Sequence, residues 1–228
     1  MSENKKDGSV CSKIKDGSLV GYCLDRVAIA KKDTSACNLI KGDYKYDCIF
    51  DVAKAKNSAS MCEKVTDKTK NYQCVVHFAK AREDLSYCDY LKDQSKVGLC
   101  ATEVEQKQTA RVQDMQRLVD LNKIQTELEM YFKDNQDYPT GDKVLLGGAT
   151  AVCLIGSGLN GQNWTCDPNA TTTYLAKIPA DPVNTGIYTY EYTKTAGPCY
   201  NLTARLETDY DAYKAGPIYA TCDGKIYQ

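Results

Sequence analysis

The sequence holds one histidine, His77, among 228 residues. A single imidazole excludes a His-based catalytic triad, and His77 stands beside Val75, Val76 and Phe78 with no oriented nucleophile implied nearby. Net charge is also lacking: 29 basic against 30 acidic residues leave -1, so no basic face is available to neutralise phosphates, and a nucleic-acid partner is not expected. No apolar run approaches the roughly 18 residues of a membrane span. The opening Met1-Ser-Glu-Asn-Lys-Lys6 leads into polar sequence rather than a secretory signal. Walker and dinucleotide fingerprints are missing, and Gly156-Ser157-Gly158 has no strand before it, so it reads as loop rather than a nucleophile elbow. Cys-x-x-Cys and Cys-x-x-Cys-His are absent too, which argues against structural zinc and attached haem. No enzyme constellation remains.

Cysteine is what the sequence has in quantity: twelve residues. An even thiol count with almost no imidazole points to disulfides and an oxidising compartment. With no export signal visible, the chain reads as a mature or trimmed ectodomain at the cell surface or beyond it. Its length, about one and a half times the usual single-domain prior, suggests two domains.

The first eight Cys form a repeat over residues 1–104. They stand at 11, 23, 37, 48, 62, 74, 88 and 100, and each class recurs after 25 or 26 residues. Three residues after each first Cys is an aliphatic: Ile14, Ile40, Val65, Leu91. Four after each second Cys is another apolar residue: Val27, Val52, Phe78, Val104. Small residues follow in three units, Ala28 and Ala30, Ala53 and Ala55, Ala79 and Ala81. Such periodicity decides architecture, and each unit reads as two short helices. Asp7-x-Ser9, Asp33-x-Ser35 and Asp84-x-Ser86 supply N-caps, with Ser58 and Ser60 in that position before Cys62. Gly-Asp-Lys turns such as Lys15-Asp16-Gly17 separate the two helices. Helices this short need tertiary staples. Pairing within units (Cys11–Cys23, Cys37–Cys48, Cys62–Cys74, Cys88–Cys100) would close loops of about a dozen residues, each stabilising by roughly 3 kcal/mol. The alternative joins units as Cys23–Cys37, Cys48–Cys62 and Cys74–Cys88, leaving Cys11 and Cys100 to meet across the array, and spacing alone does not decide between them. In the fourth unit Glu105 and Lys107 replace the small residues, which marks the end of the stack.

From about residue 97 to 135 a long amphipathic helix is expected, with Met115, Leu118, Leu121, Ile124, Leu128 and Tyr131 or Phe132 on one face. The stretch Arg111-Val-Gln-Asp-Met-Gln-Arg-Leu-Val-Asp-Leu-Asn-Lys-Ile-Gln-Thr-Glu-Leu-Glu-Met-Tyr-Phe-Lys-Asp-Asn-Gln-Asp-Tyr-Pro139 resembles the soluble half of the first helix in type IV pilins and type II secretion pseudopilins. Tyr174-Leu-Ala-Lys-Ile-Pro-Ala-Asp-Pro182 is similar to the segment that leads those proteins into their sheet. The resemblance covers about residues 108–228. It implies an α+β domain, one long helix packed on a small antiparallel sheet, over residues 105–228. It also implies a subunit of a surface appendage or secretion apparatus, a minor or tip subunit included, whose partners are other pilin or cell-surface proteins. A departure accompanies it: Glu103-Val-Glu-Gln-Lys-Gln-Thr-Ala110 is too polar for the membrane-anchoring half of that helix, and the prepilin motif is absent, so membrane attachment would need a segment ahead of residue 1. The other reading is therefore a monomeric binding module on a pilin-like scaffold.

The remaining sequence agrees with an α+β layer pair. Residues 140–173, Gly-rich from Gly141 to Gly161, read as a loop stapled by Cys153 and Cys166. Three strands are expected within 187–227, from Ile187 to Thr193, Cys199 to Glu207 and Pro217 onward, with Cys199 and Cys222 tying them. No cofactor is required. Pseudopilins often hold calcium in the C-terminal loop, and Glu207, Asp209, Asp211 and Asp223 are the oxygen ligands that resemblance would assign. Asn163-Trp-Thr, Asn169-Ala-Thr and Asn201-Leu-Thr match glycosylation acceptors. The 17 Tyr suit half-buried strands, or a recognition surface.

Overall fold

A computed structural model describes residues 8–148, 151–160, 167 and 169–228. The chain mixes helix with antiparallel sheet and divides into two compact units, residues 1–108 and 109–228. The boundary falls inside the longest helix.

In the first unit each repeat places a short 3-10 segment before an α-helix. The 3-10 segments are Gly8–Lys13, Cys37–Leu39, Ala59–Lys64 and Leu85–Tyr90. The α-helices are α1 (Gly17–Lys31), α2 (Tyr44–Lys56), α3 (Lys68–Arg82) and, for the fourth repeat, the start of α4 (Val97–Asn135). Asp84 Oδ1 accepts from Ser86 N at 2.9 Å and caps the 3-10 segment Leu85–Tyr90, whereas Asp33 Oδ1 accepts from Ser35 N at 3.0 Å in the turn ahead of Cys37–Leu39, whose N-cap Ala36 makes no side-chain bond, so neither opens an α-helix. The α-helical caps come from the turn residues instead: Asp16 accepts from Ser18 N and Leu19 N, Asp67 from Lys70 N. Asp7 lies outside the described residues. Ser58 and Ser60 do not cap: Ser58 makes no side-chain cap bond, and the two hydroxyls bond each other at 3.0 Å.

The α-helices stop at the same point of the repeat. Lys32, Asn57 and Glu83, nine residues after the second Cys, take left-handed φ of 51°, 51° and 53°, and each donates its N–H back into the last turn. At the fourth such position, Thr109, the chain stays helical and α4 continues to Asn135. The unit's core is one cluster built from the Cys, the aliphatics Ile40, Val65 and Leu91, and the small residues Ala28, Ala53 and Ala79. Asn71 bridges repeats from within it: its Nδ2 donates to Cys62 O (3.0 Å) and Tyr90 O (3.4 Å), and its Oδ1 accepts from Lys92 N (2.8 Å).

In the second unit a five-stranded antiparallel sheet has the order β1-β5-β6-β7-β8, from β1 (Val144–Leu146), β5 (Tyr190–Lys194), β6 (Tyr200–Leu206), β7 (Gly216–Thr221) and β8 (Ile226–Tyr227). The inner face alternates cleanly: Leu202, Ala204 and Leu206 on β6, Ile218 and Ala220 on β7 and Tyr190 and Tyr192 on β5 are all at most 1% exposed. These residues form one core with Leu121, Ile124 and Leu128 of α4. The region expected as loop is not structureless. It carries β1, β2 (Cys153–Ile155) and β3 (Gly158–Asn160), and it runs at its end into β4 (Thr173–Leu175), which completes a separate three-stranded sheet of order β3-β2-β4. Each of those strands has three residues, too short for an alternation signal. The expected strand from Ile187 begins only at Tyr190, after a Thr185–Tyr188 bridge, and Ile187 is exposed. Gly147 (φ 67°) packs so closely on the Ile178–Pro182 segment that a Cβ would lie 2.5 Å from Ala180 Cα.

Met115 corrects the helical-face reading. It is 47% exposed, whereas Asp114 and Arg117 are 0% exposed. Below Leu118 the buried stripe of α4 turns polar, and counting apolar residues alone follows the wrong edge.

Candidate functional site

The buried polar stripe of α4 builds the densest charged constellation in the second unit. Arg117 lies at its centre. Its Nε and Nη2 reach Asp181 Oδ2 and Oδ1 at 2.7 and 3.0 Å, a bidentate pair, while Nη1 donates to Asp114 Oδ1 and Glu207 Oε1, both at 2.7 Å. The guanidinium carbon stands 5.0 Å from the Tyr188 ring centroid. Each carboxylate is itself held. Asp114 accepts from Glu207 N, Thr208 N and Thr208 Oγ1, all at 2.8 Å, and Asp181 Oδ1 accepts from Val183 N at 2.9 Å. Burial works against the Arg117 charge, but the hydrogen bonds to Asp181, Glu207 and Asp114 outweigh it and push its pKa up.

One turn further on, Asp120 accepts from Tyr190 OH (2.8 Å) and Gln116 Nε2 (2.8 Å). Burial, then the bond to Asp120, raises the Tyr190 phenol. Local sequence explains the placement. Asp114 and Arg117 share a helical face at i, i+3. Asp181 sits between Pro179 and Pro182, on a rigid segment whose following amides turn back onto its carboxylate. With all three nitrogens of the fork engaged, the cluster works as a clamp joining α4, the 178–182 segment and the end of β6.

The carboxylates considered for calcium are not brought together. Glu207 belongs to the Arg117 cluster. Asp209 accepts from Lys214 Nζ and Ala215 N, both at 2.9 Å. Asp211 is exposed with φ 53°. Asp223 accepts from Thr221 Oγ1, Tyr227 OH and Lys225 N, and these bonds hold its carboxyl down at about 2. Asp209 and Asp223 are satisfied by their own turns, and among the described residues no group of three or more His, Cys, Asp or Glu is arranged to hold a metal ion.

Disulfides join Cys11–Cys23, Cys37–Cys48, Cys62–Cys74 and Cys88–Cys100, each within one repeat, and Cys199–Cys222 ties β6 to the end of β7. The expected Cys153–Cys166 staple falls partly outside the described residues, as does Asn163. The five disulfides among the described residues mark an oxidising environment. No described helix is long and apolar enough to cross a membrane. Asn169 and Asn201 are exposed.

His77 sits on α3 with its ring edge-on to Phe50 and Phe78 at 5.2 Å each. Desolvation there, then Lys54 and Lys107, pulls its pKa below the ordinary imidazole value. It borders a hollow of about 560 Å³ shared with Tyr72, Lys80, Glu103 and Lys107. Glu103 accepts from Tyr72 OH (2.7 Å) and Lys80 Nζ (3.0 Å), and burial followed by that bond raises the Tyr72 phenol to about 12. Lys107 donates to Lys80 O at 2.8 Å, so the charged residues of the fourth repeat are tied back to the third. Sequence reasoning missed both polar clusters, because charged residues default to the surface. The one available signal was the Asp114-x-x-Arg117 spacing together with an Asp held between prolines. Comparison with protein-family models, curated proteins and solved structures finds no match to this chain.

Proposed function

We propose that this chain is a non-enzymatic, extracytoplasmic, pilin- or pseudopilin-like subunit of a surface appendage or secretion apparatus, carrying a disulfide-stapled repeat array on the N-terminal side of its long helix. One observation carries the reading. The two stretches that resemble that family, 111–139 and 174–182, are bonded to each other through Arg117 and Asp181 under the same antiparallel sheet. An extracellular setting agrees with the disulfides.

A second reading has its own support. Where the family has an apolar anchor, α4 begins in the array, and its fourth residue, Cys100, is disulfide-bonded. That arrangement favours a monomeric cell-surface binding or adhesion module using the same scaffold without assembly.

Fractionation of the producing cells separates the two. Antibody against the chain should label sheared appendages or the membrane-bound secretion assembly, and cross-linking should give ladders of the chain with other subunits. Recovery only as an uncross-linked monomer at the surface would reject the subunit reading in favour of the second.

A further inference from the structure

Seven residues after the second Cys, the first three repeats have Ala30, Ala55 and Ala81, and the fourth has Lys107. Three residues after the same Cys stand Arg26, Asp51, His77 and Glu103. The two substitutions peculiar to the fourth repeat meet on the side of α4 that turns to α3. There the helices are bridged by long polar side chains. Glu103 Oε1 accepts from Tyr72 OH at 2.7 Å, its Oε2 accepts from Lys80 Nζ at 3.0 Å, and Lys107 Nζ donates to Lys80 O at 2.8 Å. These four side chains line the hollow of about 560 Å³ beside His77, a size that suits a small ligand.

The charges lining that hollow do not cancel. Lys80 and Lys107 face one carboxylate, Glu103, which leaves a single positive charge in excess. Both oxygens of Glu103 are engaged, and Lys80 is its ion partner. Lys107 is bonded only to a backbone carbonyl, so among the described residues two of its three N–H groups have no partner. Lys54 stands near enough to act on His77 but shares its own charge with Asp51 at 2.6 Å. The imidazole is held neutral at neutral pH, so it adds a hydrogen-bonding edge rather than a second charge. Beside these groups the lining is apolar: buried Val76, Ala81 and the ring of Tyr72. A bare inorganic ion gains nothing from that wall and keeps its water. An anion with an apolar body uses both features.

We propose that this hollow between α3 and the start of α4 binds a small organic monocarboxylate, its charged end on Lys107 and its apolar body against Val76, Ala81 and the Tyr72 ring. The site lies wholly within the array and stands whether or not the pilin-like reading holds.

The test is a nuclear magnetic resonance titration of the whole oxidised protein at neutral pH with benzoate, and in parallel with benzyl alcohol and with inorganic phosphate. Saturable one-to-one binding of benzoate is expected, with amide shifts at Val76, His77 and Lys107 and no saturation by either comparison probe. Lys107→Gln should weaken benzoate about tenfold or more. Lys107→Arg should keep the affinity, and Lys123→Gln, at an exposed lysine further along α4, should leave it unchanged. Melting temperatures equal to the parent show that these variants report binding and not folding. Absence of saturable benzoate binding, or saturation with shifts confined to other residues, would overturn the proposal. Equal binding of benzyl alcohol or of phosphate would overturn it too, as would a folded Lys107→Gln variant that binds benzoate like the parent.

Discussion

The two units reach stability by opposite routes. In the array the disulfides span 11 or 12 residues, and Cys and Ala are prominent in the core. In the second unit the ties are long-range: Arg117 to Asp181 spans 64 residues, Tyr190 to Asp120 spans 70, and Arg117 to Glu207 spans 90. The twelve largest fully buried side chains, from Arg117 to Leu206, all lie in this unit. Short helices with small residues bury too little apolar surface to hold themselves, so covalent closure of local loops substitutes for a large core. A helix on a sheet supplies that core, and its buried ions then fix which segments meet.

The sharpest way to break this contrast is to remove the centre of the ion cluster. Arg117→Met leaves Asp114 and Asp181 buried without their counter-charge and should cost about 3–5 kcal/mol in denaturant unfolding of the second unit. The array's protection should not move. A loss shared equally by both units would contradict the division.

The matching cut in the array is smaller. Asn71→Ala leaves the Cys62 and Tyr90 carbonyls and the Lys92 N–H without their partner, at a cost of about 1–3 kcal/mol. Local exchange of the Lys92 amide should report it, with β6 amides unaffected.

The smallest expected effect concerns pH. Asp25 of α1 is 5% exposed, and its Oδ1 has no hydrogen-bond partner. Burial, then Asp51, raises its pKa above 3.8, against the opposing charges of Arg26 and Lys54 and with a further push from Asp47. A raised carboxyl pKa leaves stability whole below the unfolded value and lowers it as pH climbs through the folded one. Ionisation of Asp25 should therefore oppose the rise in array unfolding midpoint that Asp33, Asp84, Asp93 and Glu103, whose carboxyls are held low, contribute as pH increases, and Asp25→Asn should steepen that rise. An unchanged pH profile in that variant would show that Asp25 makes no such contribution.

How much of this was legible depends on what each feature rests on. The repeat could be read because a disulfide array needs its Cys at fixed spacing, and the spacing survives substitution everywhere else. Leu121, Ile124 and Leu128 could be read because a buried helical face repeats every three or four residues. Met115 failed for the complementary reason: at that turn the buried face is Asp114 and Arg117, which no hydrophobic count includes. The 3-10 character of the first segment in each repeat was hidden because an Asp cap opens a 3-10 turn as readily as an α-helix. Residues 140–173 hid their strands because three-residue strands are too short for an alternation signal, even where β2 and β3 pair as a local hairpin. The Arg117 cluster was least legible of all, since its members lie up to 90 residues apart and nothing local announces the meeting.

Hydrogen exchange on the oxidised and the fully reduced protein, resolved by peptide, tests the central claim most directly. The account predicts that reduction strips protection from α1, α2 and α3, while peptides of α4 around Leu121–Leu128 and of β6 keep theirs. Protection retained in the reduced array, or lost equally in both units, would contradict it.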